Sequence, residues 1–258
     1  MKGIWTRAGA AAAGLALIVA VADLGGNEKT QCAGNICVTD DGGIAPTKLP
    51  RRGRAPITAR LHGEIETRDG THPPPVETLE IEIDKSIALD AVGLPTCKLA
   101  QLQARSSTAA KRACGSATVG SGSAEVEVEF PEQKPFRSTG PVVLFNGGVR
   151  GPTTTLLLHA YVNVPAPTAV VTKVTVTRVS RGRFGLRIAA AVPRIAGGSG
   201  SVTMFELRVG RKFTHKGEKK SFLTAGCPTG TWLTRGDVSF ADGTRLGITH
   251  PFTCTPEG

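Results

Sequence analysis

Hydrophobic and polar residues alternate along much of the chain from Pro56 onward. In residues 79–84, leucine and isoleucine alternate with glutamate and aspartate, and in residues 124–130 small or apolar residues alternate with three glutamates. A period of two is typical of β-strands that bury one side and expose the other. Further segments of this kind follow, and Gly, Pro, Asn or Asp separate most of them. The pattern predicts an all-β fold, an antiparallel β-sandwich of about ten strands.

One segment departs from this pattern and lies between two cysteines, Cys97 and Cys114. Residues 97–104, CKLAQLQA, can form about two helical turns with both leucines on one side. Ser106 or Ser107 can cap a second short helical turn that ends at Cys114. We therefore predict a short helical crossover between two strands, pinned at both ends by a disulfide.

The acidic residues of the predicted strands have two interpretations. Paired carboxylates serve calcium binding and glycoside hydrolysis, but the regular alternation favours the solvent-facing side of an antiparallel sheet. On this interpretation Arg and Lys residues of neighbouring strands pair with the carboxylates. We expect a charged outer face rather than an acidic catalytic centre.

The first 22 residues have the three parts of a secretory signal peptide. Lys2 and Arg7 precede an uncharged run that ends in Ala20-Val21-Ala22. The alternative is an uncleaved membrane anchor, but a bilayer span needs ~20 apolar residues and this run is shorter. We expect cleavage after Ala22, leaving an exported chain with no transmembrane anchor, secreted or associated with the cell envelope. Loss of the two basic residues lowers the net charge from +10 to +8.

The region after the signal peptide divides by composition. Residues 23–54 are mostly polar and rich in Gly and Pro, so we expect a flexible linker that carries a small disulfide loop. Residues 55–258 carry the alternating pattern and are expected to form the sandwich. Their number allows one large all-β domain or two small ones.

The six cysteines are an even number, which outside the cytosol usually indicates a disulfide framework. Many connectivities are open, and sequence proximity favours three pairs: Cys32–Cys37, Cys97–Cys114 and Cys227–Cys254. Zinc is the alternative, because CAGNIC has a suitable spacing. No second close pair follows, however, and the five histidines lie far apart in sequence. No metal or cofactor is therefore predicted.

A reactive thiol is the other interpretation of Cys97 or Cys114. Redox pairs usually have the spacing C-x-x-C, and a cysteine nucleophile needs a base. No histidine occurs between His72 and His159, so the local sequence offers no base. A structural disulfide is the simpler explanation.

Several short motifs occur in a fixed order. They are LPTCKLAQLQ, ACGSATVGSG, FNGG, TLLLHAYV, GRFGLRI, GGSGSVTMFELRVGRKF, SFLTAGCPTG and FADGT. In this order of cysteines and glycines, residues 55–257 resemble a group of uncharacterised secreted β proteins from high-GC actinobacteria. The resemblance implies export, an all-β structure and the pairs Cys97–Cys114 and Cys227–Cys254. It implies no activity or ligand.

The mature chain is basic, which favours attraction to anionic surfaces. The segment 208–220 lies between two predicted strands, so its basic residues should gather near the tip of a hairpin. They are candidate contacts for an anionic envelope polymer, with a merely solvated hairpin as the alternative: Arg208, Arg211, Lys212, Lys216, Lys219 and Lys220. No pattern indicates specific nucleic-acid binding. Few aromatic residues are present, which disfavours a glycan-binding platform.

The chain lacks the nucleophile-elbow, Walker, dinucleotide-binding and zinc-protease motifs. No catalytic residue is therefore predicted. The sequence favours an exported, non-catalytic binding or structural protein of the cell envelope or extracellular space. The alternative is a secreted hydrolase whose site is assembled from residues scattered along the chain. A convergence of His, Asp, Glu or Ser side chains in one cleft would favour the hydrolase.

Overall fold

The computed structural model describes residues 28–162 and 166–258, and the predicted signal peptide lies outside them. The strands are β1 Lys29–Ala33, β2 Ile36–Ala45, β3 Lys48–Pro50, β4 Ala55–Pro56, β5 Thr58–Thr67, β6 Val76–Asp84, β7 Ile87–Leu89, β8 Thr118–Val128, β9 Phe136–Arg150, β10 Thr153–Val162, β11 Thr168–Arg181, β12 Phe184–Ala191, β13 Gly200–Val209, β14 Lys212–His215, β15 Glu218–Ser221, β16 Leu223–Ala225, β17 Thr231–Phe240, β18 Arg245–Thr253 and β19 Thr255–Glu257. One α-helix, α1 Ser107–Cys114, and short 3₁₀ turns at Leu99–Gln101, Gly115–Ala117 and Ala196–Gly198 complete the described elements.

Twelve strands form one antiparallel sheet, in the order β1-β2-β5-β13-β8-β9-β10-β11-β12-β6-β17-β18. The sheet curls until its two edge strands meet, and Lys29 on β1 donates from Nζ to the carbonyl oxygen of Thr249 on β18 at 2.5 Å. The all-β prediction is confirmed, but the sandwich of about ten strands is replaced by a single, nearly closed twelve-stranded sheet. Alternation shows which side of a strand is buried; it does not show which strands pair.

The inside of the curled sheet is a packed hydrophobic core. Trp232 is buried there and donates from Nε1 to the carbonyl oxygen of Gly226 at 2.7 Å. Three small sheets, β3 with β19, β4 with β16 and β7, and β14 with β15, accompany the large one. Leu49 on β3 and Leu223 on β16 join the same core, so the short strands are held by apolar burial.

The crossover between β7 and β8 packs on the outer face of β9 and β10. In β9, Val142 and Leu144 face the inner core, whereas Val143 and Phe145 lie under the crossover. Burial on both sides explains why this strand reads as a continuous apolar run. The crossover and its second helical turn are confirmed, with Ser106 capping α1 by accepting a hydrogen bond from the Ala109 amide. The two turns expected in residues 97–104 are wrong: a single 3₁₀ turn forms there, and its leucines do not share a side, because Leu102 is buried and Leu99 is 44% exposed.

The described part of the expected linker, residues 28–54, is instead part of the fold. Strand β2 pairs along its length with β5, from Ile36 opposite Thr67 to Ala45 opposite Thr58. Its backbone bonds come from β5, a partner that lies later in the chain, so its own polar composition gave no sign of order. The β1–β2 hairpin carries the disulfide Cys32–Cys37.

The other two disulfides are Cys97–Cys114, across the crossover, and Cys227–Cys254, which joins the segment after β16 to the segment after β18. All three predicted pairs are thus present. The acidic strands also pair as expected: Glu80 on β6 binds Arg187 on β12 at 2.5 Å, and Asp84 binds Arg183 at 2.7 Å. The carboxylates lie on the outer side of the strand as predicted, but only Glu80 is partly exposed. Glu82 and Asp84 are buried beside the arginines that they bind, Arg235 and Arg183.

Candidate functional site

The basic hairpin, residues 212–221, is formed by β14 and β15 and packs on the segment before the crossover. The His215 ring covers Gly93 so closely that a methyl group on Gly93 would lie 2.2 Å from its Nδ1 atom. Lys220 binds the Asp90 carboxylate at 3.2 Å. One face of the hairpin is therefore fixed against the protein, and the other faces solvent.

The base of the hairpin is tied to the end of the crossover by Arg211. Its Nη1 atom donates to the carbonyl oxygen of Ser116 at 2.7 Å and to that of Thr118 at 2.8 Å. This guanidinium bonds to backbone carbonyls instead of a carboxylate. The contact places the base of the hairpin beside the end of the crossover.

The structure divides the six predicted polymer-contact residues into two groups. Arg208 lies 3.9 Å from the Glu206 carboxylate, and Arg211 and Lys220 make the contacts described above. The remaining three side chains are exposed and form no ion pair with another described residue: Lys212, Lys216 and Lys219. Only this second group is available to a ligand without breaking an existing bond.

The crossover adds four basic residues that were not among the sequence predictions. On its inner side, Leu102, Ala110 and Cys114 are buried in a hydrophobic cluster with residues of the sheet. Its outer side exposes four basic residues that form no ion pair with another described residue: Lys98, Arg105, Lys111 and Arg112. We call these four residues and the three exposed lysines of the hairpin the basic surface.

A signal in the sequence could have revealed this surface. No Asp or Glu occurs in residues 91–124, which include the whole crossover, although basic residues occur throughout. Several basic residues of the strands pair with acidic residues of adjacent strands, as Arg187 does with Glu80 and Arg235 with Glu82. An acid-free segment on an exposed element therefore predicts positive charge that nothing nearby neutralises.

A second group of polar residues lies on the outer face of β8 and β13. Ser201 on β13 is directly opposite Glu127 on β8. His72, from the loop between β5 and β6, lies over both: its Nδ1 atom is 3.0 Å from Glu127 Oε1, and its Nε2 atom is 3.1 Å from Ser201 Oγ. Three residue types used in acyl transfer are thus connected in the order serine, histidine, carboxylate.

Glu127 is held in its charged form. Burial would raise its pKa, but hydrogen bonds from His72 and from Arg137 outweigh this, so the pKa of Glu127 is lowered. Arg137 on β9 is 3.0 Å from Glu127 and 3.2 Å from Glu125. The carboxylate beneath His72 is therefore an anion with a cationic partner on its other side.

The geometry around Ser201 does not suit a nucleophile. Ser201 is only 1% exposed, and its hydroxyl donates to the Pro73 carbonyl oxygen at 2.5 Å, shorter than the distance to His72. An acyl-transfer site also needs free N–H donors for the oxyanion. The nearby amides of Gly198, Ser199 and Gly200 already donate to the carbonyl oxygens of residues 195 and 196. The arrangement serves to hold the loop that contains Pro73.

Two shallow depressions flank this loop. One, of about 350 Å³, is lined by residues that include Pro75, Ile195 and Val202. The other, of about 480 Å³, opens beside His72 and Phe130. Pro75 and Gly198 line both depressions, so the loop and the turn before β13 separate them.

Within residues 28–162 and 166–258, no three His, Cys, Asp or Glu side chains come together in a way that could hold a metal ion. In the same residues, no helix combines the length and apolar character needed to span a bilayer. No family profile, curated protein or solved structure matches the chain. Its function has to be argued from its own residues.

Proposed function

We propose that this chain is an exported, non-catalytic protein that binds an anionic polymer of the cell envelope or extracellular space. The observation that carries the proposal is the basic surface, where seven exposed basic side chains from two adjoining elements have no carboxylate partner among the described residues. Uncompensated positive charge attracts polyanions and speeds their association.

The shape of the surface favours an extended ligand over a small anion. Small-molecule sites are concave and bury most of their ligand. The basic side chains instead stand on the exposed sides of the crossover and the hairpin, and neither depression is lined by any of them. A polymer can contact charges spread along two elements, because each contact needs only one of its repeating anionic groups.

Export is proposed on separate grounds. Three disulfides fit an oxidising compartment. The signal-like start and the resemblance to secreted actinobacterial β proteins support the same location. Membership of that group is part of the proposal.

The test is retention of the oxidised mature protein on heparin–agarose and on phosphocellulose, eluted with increasing salt. A hairpin variant carries Lys212→Glu, Lys216→Glu and Lys219→Glu. A crossover variant carries Lys111→Gln and Arg112→Gln, which removes charge without adding acid to the last helical turn. Both variants should elute at lower salt than the wild type, with melting temperatures that change little because exposed charges contribute little to stability.

A control variant separates the basic surface from overall charge. Lys134→Glu, Lys173→Glu and Arg245→Glu remove the same charge at exposed positions on other elements. The control should elute closer to the wild type than the hairpin variant does. If the two triple variants elute together, overall charge governs retention and the proposed binding surface is wrong. Retention on DNA–cellulose that matched retention on both polymers would redirect the proposal to nucleic acid.

A second candidate function is acyl hydrolysis, which the connected residues Ser201, His72 and Glu127 favour. The buried hydroxyl and the occupied amides oppose it. Reaction with a fluorophosphonate probe decides between acyl hydrolysis and a non-catalytic role. Labelling of the wild type but not of Ser201→Ala would establish a nucleophile, and absence of labelling from about pH 5 to 9 would exclude one.

A further inference from the structure

Residues 68–75, which we call the strap, join β5 to β6 and cross the outer face of the sheet at β13 and β8. At one end the Asp69 carboxylate accepts hydrogen bonds from the Thr71 amide and from Asn35 Nδ2, at 3.0 and 2.9 Å. At the other end the strap is held through His72 and Pro73, which bind Ser201 and Glu127. The Pro75 carbonyl oxygen also accepts a hydrogen bond from the Ala241 amide at 2.9 Å. Of these attachments, only the one through His72 and Pro73 contains a histidine.

The hydrogen bonds at His72 require a particular proton count. The Ser201 hydroxyl has a single proton, and at 2.5 Å it donates this proton to the Pro73 carbonyl oxygen. The Ser201 oxygen can then only accept from His72, so Nε2 must carry a proton. Nδ1 faces the Glu127 carboxylate, which can only accept, so Nδ1 must carry one as well. All three bonds therefore coexist only with the imidazolium form.

We propose that the strap is a pH-sensitive closure, fastened while His72 carries both ring protons and loosened when the ring loses one. A neutral ring that keeps its proton toward Glu127 leaves Nε2 as an acceptor. The single proton of the Ser201 hydroxyl can then be donated either to Nε2 or to the Pro73 carbonyl oxygen, and one of the two bonds is lost. Histidine is the side chain whose ordinary charge change falls between about pH 5 and 8.

Several charged groups surround His72. Carboxylates outnumber basic groups around it. The titratable and charged groups on the elements packed around the strap are Glu66, Asp69, Glu77, Glu125, Glu127, Glu129, Glu132, Arg137 and Arg194. Hydrogen bonds lower the pKa of Asp69 and that of Glu127, so both stay charged in the range where a histidine titrates. The carboxylate that faces Nδ1 is therefore an acceptor throughout that range.

Loosening the strap has a structural consequence. Pro75 follows His72 by three residues and forms part of the wall between the two depressions. If residues 72–75 move off the sheet, the depressions of about 350 and 480 Å³ become one groove, and buried Ser201 meets solvent. The groove would open as the pH rises and close as it falls.

Two measurements on the oxidised protein test this. The ¹⁵N shifts of the His72 ring should show both nitrogens protonated near pH 5.5. Hydrogen exchange of the Ala241 amide, which donates to the Pro75 carbonyl oxygen at 2.9 Å, should show about tenfold less protection at pH 8.5 than at pH 5.5 after correction for its intrinsic pH dependence, since one hydrogen bond to a charged group is lost. In His72→Gln the protection should be low at both pH values.

The matched control is His62→Gln, because His62 lies on β5 and also faces a carboxylate, that of Glu64 at 3.1 Å. This variant should keep the pH dependence of the wild type. A singly protonated His72 ring at pH 5.5 would overturn the proposal. Equal hydrogen-exchange protection at both pH values would also overturn it. The ring measurement needs only the wild type, so it holds even if His72→Gln does not fold.

Discussion

His159 on β10 donates from Nε2 to the carbonyl oxygen of Arg105 at 2.9 Å, directly beneath the crossover. The ring is fully buried, and its Nδ1 atom has no partner among the described residues. Burial lowers the pKa of His159 below its ordinary value of 6.5, and the hydrogen bond to Arg105 only partly offsets this. The outer layer that carries the basic crossover thus rests on a neutral histidine.

Acid should weaken the fold through His159. In the unfolded chain this histidine binds a proton near pH 6.5, whereas in the folded chain it binds one only at lower pH. The associated stability is therefore present above pH 6.5 and is lost as the pH falls below it, by at most about 1.4 kcal/mol per pH unit. Urea denaturation of wild type and His159→Gln at pH 7.5 and 5.0 checks this. The variant should lose less stability on acidification, and an equal loss in both proteins would contradict the role of His159.

Replacing Cys97 with Ser should lower the free energy of unfolding by roughly 2–4 kcal/mol, because the Cys97–Cys114 bond closes a loop across the crossover. Thiol titration should then find Cys114 free. The double variant Cys32→Ser, Cys37→Ser is a useful comparison, because that bond spans a separation of 5 residues instead of 17. It should cost less stability, and a larger cost would show that loop length does not govern these disulfides.

Gly122 on β8 is a position where the sheet has no room for a side chain. A methyl group there would lie 1.9 Å from the carbonyl oxygen of Glu206 on β13, and backbone must shift to admit it. We expect Gly122→Ala to cost about 1–3 kcal/mol or more of unfolding free energy. Gly63→Ala on β5 is the control, since its methyl group would lie 3.8 Å from the nearest atom, the Thr39 carbonyl oxygen. Similar melting temperatures for the two variants would contradict the close approach.

The mature protein should begin at Asp23. N-terminal sequencing of protein recovered outside the cytoplasm of an expressing actinobacterium is expected to read Asp-Leu-Gly. If the full-length chain is recovered only from the membrane fraction, the first 22 residues act as an anchor instead. The test is independent of the binding experiments.

Local sequence pattern was enough to predict the faces of many strands. The glutamates of residues 79–84 point outward and meet arginines of neighbouring strands, because side-chain direction follows from a period of two. The capped helix was predictable for the same reason: Ser106 and the residues that follow it form a local signal. Strand order and the role of residues 28–54 depend on distant pairing, and the sequence carries no comparable sign of it.

The cluster of Ser201, His72 and Glu127 could not be predicted from the sequence. Counting back from Leu207 in steps of two places Ser201 on the inner face of β13. An irregularity between Val202 and Met204 shifts the register, so Ser201 instead shares the outer face with Glu127. His72 then comes from a loop more than fifty residues before Glu127 in the chain. Neither the irregularity nor the course of that loop has a sequence signature.

If the chain is exported as proposed, the pairing of early with late strands sets the order in which it can fold. Strand β3 pairs in parallel with β19, residues 255–257. The edge strand β1 likewise meets β18. A chain that threads through a translocation channel from its N-terminal side can form the β1–β2 hairpin at once. It must then wait for the last strands to emerge before the sheet can close. Contacts between distant residues slow folding. During that wait β2 can already pair with β1 and β5, whereas β3 and the outer edge of β1 stay exposed to proteases and to any chaperone outside the channel.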